Sequence, residues 1–154
     1  MKLYDRKSAL TAADLLNDRV LPLFEAHGIK LLRVLTDRGT EYCGKPEHHE
    51  YQLFLNIEEV EHTKTKVRSP QTNRICERVH KPILNEFYRL AFRRKLFGSL
   101  AELQADVDAW VEAFNEERPH QGRWCFGKTP MQTWRDSVSI AKEKNAIGDG
   151  GQAA

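Results

Sequence analysis

Apolar positions recur along this chain at two spacings, and the change from one to the other marks out its elements. Leu15, Leu16, Val20, Leu23 and Phe24 fall on one helical face. Thr11-Ala-Ala-Asp14 opens that helix with a hydroxyl cap and an acid in the first turn, and Gly28 closes it. Pro22 inside the run predicts a bend. Ahead of it, Leu3 and Tyr4 read as the end of a strand before the charged turn 5–7. Residues 29–35 form a short continuous apolar run between the helix and a turn, the mark of a buried strand. Tyr51, Phe54 and Leu55 predict a short helix over 51–57, and residues 58–67 alternate weakly, as a strand does. Ser69-Pro70-Gln71 starts a central helix in which Ile75, Val79, Ile83 and Phe87 step by four to make a core stripe. Pro82 interrupts it, at a cost of about 3 kcal/mol in a straight helix interior. Ser99-Leu-Ala-Glu102 is a capping box, and Leu100, Leu103, Val107, Trp110, Val111 and Phe114 form one face of the helix that follows, which ends near Arg118-Pro119. Trp124, Phe126, Met131 and Trp134 read as an irregular apolar segment packing back on the domain. Beyond Ser137 apolar content falls, so one α/β domain is expected over 1–136 and a disordered tail over 137–154.

Composition narrows the class without naming a function. The chain has 154 residues, 40% hydrophobic and 30% charged, ordinary for one soluble globular domain. Its three cysteines are odd in number and scattered, with no CxxC pair, which points to reduced thiols in a cytoplasm and away from a disulfide framework or structural zinc. Cys43, His48 and His49 are too loosely spaced to change that. Met1-Lys-Leu-Tyr-Asp begins no signal peptide, and no apolar run is long enough to span a bilayer.

Charge placement says more than net charge. Between Thr63 and Lys95 stand Lys64, Lys66, Arg68, Arg74, Arg78, Lys81, Arg89, Arg93, Arg94 and Lys95, opposed by Glu77 and Glu86 alone. The window therefore carries +8 in a chain of net +2, which leaves −6 for the rest. A single-sign stripe of this kind is the electrostatic footprint of nucleic-acid contact, with phosphates held and little sequence read. Glu77 is an acid inside that stripe. On spacing alone it pairs with Lys81 one turn on, a surface pair worth a few tenths of a kcal/mol. Asp37, just past the 29–35 run, reads on its own first as a turn residue, with a ligand at the carboxyl end of a strand as the alternative. If Asp37 and Glu77 converged, they would need cations between them, and magnesium takes such oxygen ligands.

Three motifs bring a family into view. Leu35-Thr-Asp37-Arg-Gly39-Thr-Glu-Tyr42 resembles the second acidic motif of the DDE integrase core, and Ser69-Pro-Gln-Thr-Asn73-Arg-Ile-Cys-Glu77-Arg78 resembles the third. Asn115-Glu-Glu-Arg118-Pro119-His120, with Thr129-Pro130 after it, resembles the C-terminal signature of bacterial insertion-sequence transposases. The resemblance covers nearly all of residues 2–136. It implies an RNase H-like integrase catalytic core, here missing its first strands, and strand cleavage followed by transfer of a 3′-hydroxyl to target DNA with magnesium or manganese. It makes Asp37 and Glu77 the metal-binding, catalytic acids. Lys64, Lys66, Arg68, Gln71, Asn73, Arg74, Arg78 and Lys81 become the DNA contacts, to element ends and target. It also implies a first Asp on an earlier strand. Asp5 fits the end of a later strand, and Asp14 and Asp18 lie on a helix, so the two-metal site is expected to be incomplete in this chain and the chain inactive alone. Arg74 stands where the family has Gly, and there is no room for the family's helix-turn-helix region. The alternatives are a DNA-binding or inhibitory short transposase that joins a second copy or the full-length protein, and a non-functional remnant. The expected location is the bacterial cytoplasm, at the nucleoid.

Overall fold

The computed structural model describes residues 1–45, 47–66 and 74–150, with the backbone alone for 74–77 and 147–150. The element order is α1 (Ala9–Leu15), a π-helical turn (Leu16–Val20), α2 (Leu21–Ala26), β1 (Arg33–Thr36), α3 (Glu50–Ile57), β2 (Glu61–Lys64), α4 (Arg74–Pro82), a second π-helical segment (Ile83–Tyr88), α5 (Arg89–Arg94), α6 (Leu100–Glu116) and α7 (Pro130–Gly150).

α1 begins earlier than the apolar pattern implies. Ser8 is its cap, and Thr11 is the reciprocating residue of a capping box: Ser8 Oγ accepts from Thr11 N, and Thr11 Oγ1 accepts from Ser8 N. No acid occupies the first turn. Asp14 instead faces the N-terminal segment, where it accepts from Lys2 Nζ at 2.6 Å and from the Tyr4 hydroxyl at 2.7 Å. Leu3 and Tyr4 form no strand; Leu3 packs against the second core cluster, and its N–H donates to Gln104 Oε1.

Each proline within a helical run sits beside a π-helical segment. Proline has no N–H, so the carbonyl four residues before it loses its partner. A π turn lets the next N–H along reach that carbonyl. The stretch before Pro22 shows the wider spacing, with Leu21 N donating to Leu16 O, and the stretch after Pro82 shows it again, with Arg89 N donating to Leu84 O. The helical run from Arg74 to Arg94 continues past Pro82 instead of ending there.

β1 and β2 pair in parallel, with Arg33 opposite Glu61 and Thr36 opposite Lys64, and α3 is the crossover between them. The strand expected over 29–35 is only four residues long and shifted to Arg33–Thr36. Ile29 and Leu31 ahead of it are buried, while Leu32 and Leu35 are 43% and 54% exposed, so the apolar run is covered on one side only. One core cluster joins Ala9, Ala13 and Leu16 to Leu31, Tyr51, Leu55 and Val60, with Phe24 and Val34 at its margin. A second joins Ile83 and Phe87 to Val107, with Leu103, Trp110 and Val111 around them. Val79 of the expected core stripe is exposed, and Ile75's side chain lies outside the described residues.

α6 has the expected Ser99 cap, although Glu102 turns back to Gly98 N rather than to Ser99 N. The region expected as a disordered tail from 137 is helical to Gly150, and 151–154 lie outside the described residues. Pro130, Met131, Thr133, Trp134, Val138, Ala141 and Asn145 are its half-buried positions, most of them at helical spacing. Trp134 packs edge-on against Phe24 at 5.0 Å, and Asn145 Oδ1 accepts from Lys30 N at 2.9 Å. Low apolar content hid this helix, because a stripe ending in Ala and Asn still buries a narrow face. Trp124 and Phe126 do not pack back as expected; they are 69% and 78% exposed.

Candidate active site and nucleic-acid interface

Asp37 stands immediately past the carboxyl end of β1, with its side chain exposed. Its Oδ1 accepts from Gly39 N at 2.8 Å, so one oxygen holds its own turn closed. Tyr42 N and Cys43 N both donate to Gly39 O at 3.0 Å, which coils the chain back beneath the carboxylate. Gly39 lies close against the Glu41 carboxylate: a Cβ there would come within 2.3 Å of it, so the Glu41 side chain would have to move.

Two charged or titratable groups absent from the sequence-derived site support this turn. Glu41 is buried; its Oε1 receives Lys7 Nζ at 2.9 Å, and its Oε2 has no partner. The Glu41 carboxylate raises the Lys7 ammonium above its ordinary pKa, and Asp37 adds to that field. His62 on β2 is the second. The Thr36 hydroxyl donates to Asp37 O at 2.9 Å, so it meets His62 Nε2, at 2.8 Å, as an acceptor. Gln52 Nε2 donates to Tyr42 O, which fixes its amide, and the same NH₂ meets His62 Nδ1 at 2.8 Å. His62 is therefore neutral with its proton on Nε2. Burial lowers its pKa, and the neighbouring Lys64 and His49 push the same way. Thr36, His62 and Gln52 thus tie β1, β2 and α3 to the turn bearing Asp37. The alternation of β2 puts His62 beside the end of β1, but that pairing is invisible until the strands' register is known.

Glu77 lies on α4, with its side chain outside the described residues. Among the expected DNA contacts, Lys64 at the end of β2, Lys66 just beyond it, and Arg78 and Lys81 on α4 are all exposed. Arg68, Gln71 and Asn73 lie outside the described residues, and Arg74 is placed by its backbone alone. Among the described residues no three of His, Cys, Asp and Glu gather closely enough to hold a metal ion. Asp37 by its chemistry fits a hard cation: it is an exposed carboxylate with its Oδ2 outside the hydrogen bond to Gly39.

Comparison with known proteins meets this geometry. Residues 58–124, which take in β2, α4 and most of the way to α7, match the integrase core domain family. A chain of the simian T-cell lymphotropic virus intasome, solved by cryo-EM with PP2A regulatory subunit B56 gamma, superposes with a TM-score of 0.61 over 84% of this chain at 17% identity. Residues 58–124 are integrase-core-like. The chain is also 27% identical over 147 residues to a putative integrase, ORF3, of Spiroplasma virus SpV1-C74, a match that covers 90% of this chain. It spans 39% of that protein's length and 41% of the intasome chain's. Its fold is the RNase H-like fold of the integrase catalytic core, seen here as a parallel strand pair bridged and flanked by helices. Among the described residues no helix is long and apolar enough to cross a membrane.

Proposed function

We propose that this chain acts in DNA transposition or integration as part of a strand-cleaving and strand-transferring catalytic core, occupying residues 1–136. The observation that carries the reading is the exposed Asp37 carboxylate at the carboxyl end of β1, in a chain whose residues 58–124, including Glu77, match the integrase core domain. Asp37 and Glu77 would hold magnesium or manganese, and a cation so held supplies Lewis-acid help to phosphoryl transfer. The protein's own part is to fix Asp37. The Asx turn to Gly39, the Lys7–Glu41 pair and the Thr36–His62–Gln52 chain hold the carboxylate at the strand end. Lys64, Lys66, Arg78 and Lys81 would hold DNA phosphates as point charges, giving binding with little base readout. The remaining metal ligand would be an Asp that this chain does not itself supply, so the chain alone is expected to bind DNA and metal without turning over. Assembly with a second copy or a longer transposase is part of the proposal, supported by the likeness to an intasome chain, and the expected setting is the cytoplasm.

The test is manganese binding followed by electron paramagnetic resonance, with nicking of supercoiled DNA measured beside it. Asp37→Asn and Glu77→Gln should each weaken manganese binding by at least about tenfold. Equal binding by the parent chain and both variants would sink the assignment. Manganese-dependent nicking that disappears in Glu77→Gln would show instead that this chain contains a complete site.

The second reading, a DNA-holding module without catalysis, is favoured by the exposed Lys64, Lys66, Arg78 and Lys81. It keeps the salt-dependent DNA binding and loses the metal dependence.

A further inference from the structure

The transposase-like signature at residues 115–120 has no part in the acidic site, yet it lines a largely apolar cavity. Trp110, Phe114, His120 and Trp124 border a pocket of about 630 Å³, with Arg78 and Arg123 also on its wall. Trp110 and Phe114 stack at 5.0 Å, and His120 packs edge-on against Phe114 at 4.8 Å, so three rings stand in series. On the other side Trp124 is largely exposed, with the Arg123 guanidinium 5.1 Å from its ring centre. The loop that holds these groups is closed by hydrogen bonds from His120 N to Lys128 O and from Gly127 N to His120 O. Phe126 and Gly127 both take positive φ to make the reversal, and that conformation turns Phe126 out to solvent. His120 Nε2 is buried and has no partner. An orphaned buried ring nitrogen costs stability unless something completes it. Arg78 follows Glu77 directly on α4, so the pocket opens beside the helix that carries the expected catalytic acid.

We propose that this pocket receives an unpaired base of a DNA strand. The rings supply stacking faces, His120 Nε2 meets a polar edge of the base, and Arg78 and Arg123 take the flanking phosphates. An apolar peptide would use the rings and leave both cations and the His120 nitrogen unanswered, whereas a nucleotide answers all of them. The proposal rests on the reading of this chain as a DNA-acting protein.

The experiment compares a fully paired duplex with the same duplex carrying one unpaired 2-aminopurine, using the whole chain. The parent chain should bind the second more tightly, with quenching of 2-aminopurine as the base stacks. Trp124→Ala, chosen because that side chain is mostly outside the core, should lose about tenfold in affinity for the unpaired probe, lose the quenching, and bind the paired duplex within about twofold of the parent. Arg78→Ala should weaken both probes. Equal binding of the two probes by the parent, with no quenching, overturns the pocket and leaves the DNA-acting reading standing. Binding of neither probe at low salt overturns both. Unchanged DNA binding by Trp124→Ala, with a shift from dimer to monomer, overturns the proposal and assigns the pocket to a second copy of the chain.

Discussion

At the scale of single residues, His62 is the point at which pH reaches the candidate site. It sits neutral between Thr36 and Gln52, and burial lowers its pKa below the ordinary 6.5. The unfolded chain therefore takes up a proton at His62 before the folded chain does. The contribution of neutral His62 is fully present above about pH 6.5 and is lost as pH falls below that value toward the lower folded pKa. Protonation would place an N–H at Nδ1 against the Gln52 amide, whose orientation is set by Tyr42 O. Thermal unfolding followed from pH 8 to about pH 5 should thus show a loss of stability on acidification that is smaller in His62→Gln. An identical pH profile in the two proteins would remove His62 from this role.

At the scale of elements, α3 matters most, because it is the connection that makes β1 and β2 parallel neighbours. Leu55 on its inner face is 1% exposed and stands among Ala9, Ala13, Leu16 and Leu31. Leu55→Ala removes buried methyl groups and leaves a cavity between helix and sheet, at a cost of about 2–5 kcal/mol. A single domain has only about 5–15 kcal/mol to lose, so urea unfolding should show a much lower midpoint or a chain that no longer folds. The same element shows how local rules meet tertiary ones. Its end turns through Glu59 at φ 55, a left-handed position filled by a side chain other than glycine, where Glu59 pairs with Lys30 at 2.7 Å. The helical turns around Pro22 and Pro82 teach a related lesson. Proline predicts a bend or a break, yet both runs continue past it with a π-helical segment beside each.

For the molecule as a whole, the distribution of charge decides what it can hold. The +8 window over residues 63–95 places Lys64, Lys66, Arg78 and Lys81 in solvent, while several acids outside it are engaged by Lys2, Lys7 and Arg19. Binding to duplex DNA should fall steeply with salt, and each of Lys64→Ala, Lys66→Ala and Lys81→Ala should flatten the log–log salt slope by about 1 without changing sequence preference. A slope unchanged in the triple variant would place the DNA on another face. α7 also acts at this scale. Through Trp134 on Phe24 and His27, Asn145 on Lys30, and Arg135 on Glu116, it ties the α1–α2 end of the chain to α6.

The linear chain already specified the helices that bury a clear apolar stripe, the α/β class and the basic window. Those signals are local: a period of 3.6, a run of one sign, a motif of adjacent residues. What could not be read was every feature that depends on two distant segments meeting. Glu41 is an ordinary acid until Lys7 lies against it, and His62 an ordinary strand residue until the register sets it beside Thr36 and Gln52. Trp124 reads as core because aromatic residues usually are, and in the fold it stands 69% exposed at the edge of the pocket it shares with Trp110 and Phe114. The 137–150 segment looked too polar to order, and its narrow stripe becomes sufficient only against a partner surface already built by Phe24, His27 and Lys30. Periodicity and charge are properties of neighbours in sequence, whereas burial and hydrogen-bond partnership are properties of neighbours in space, and folding alone converts one into the other.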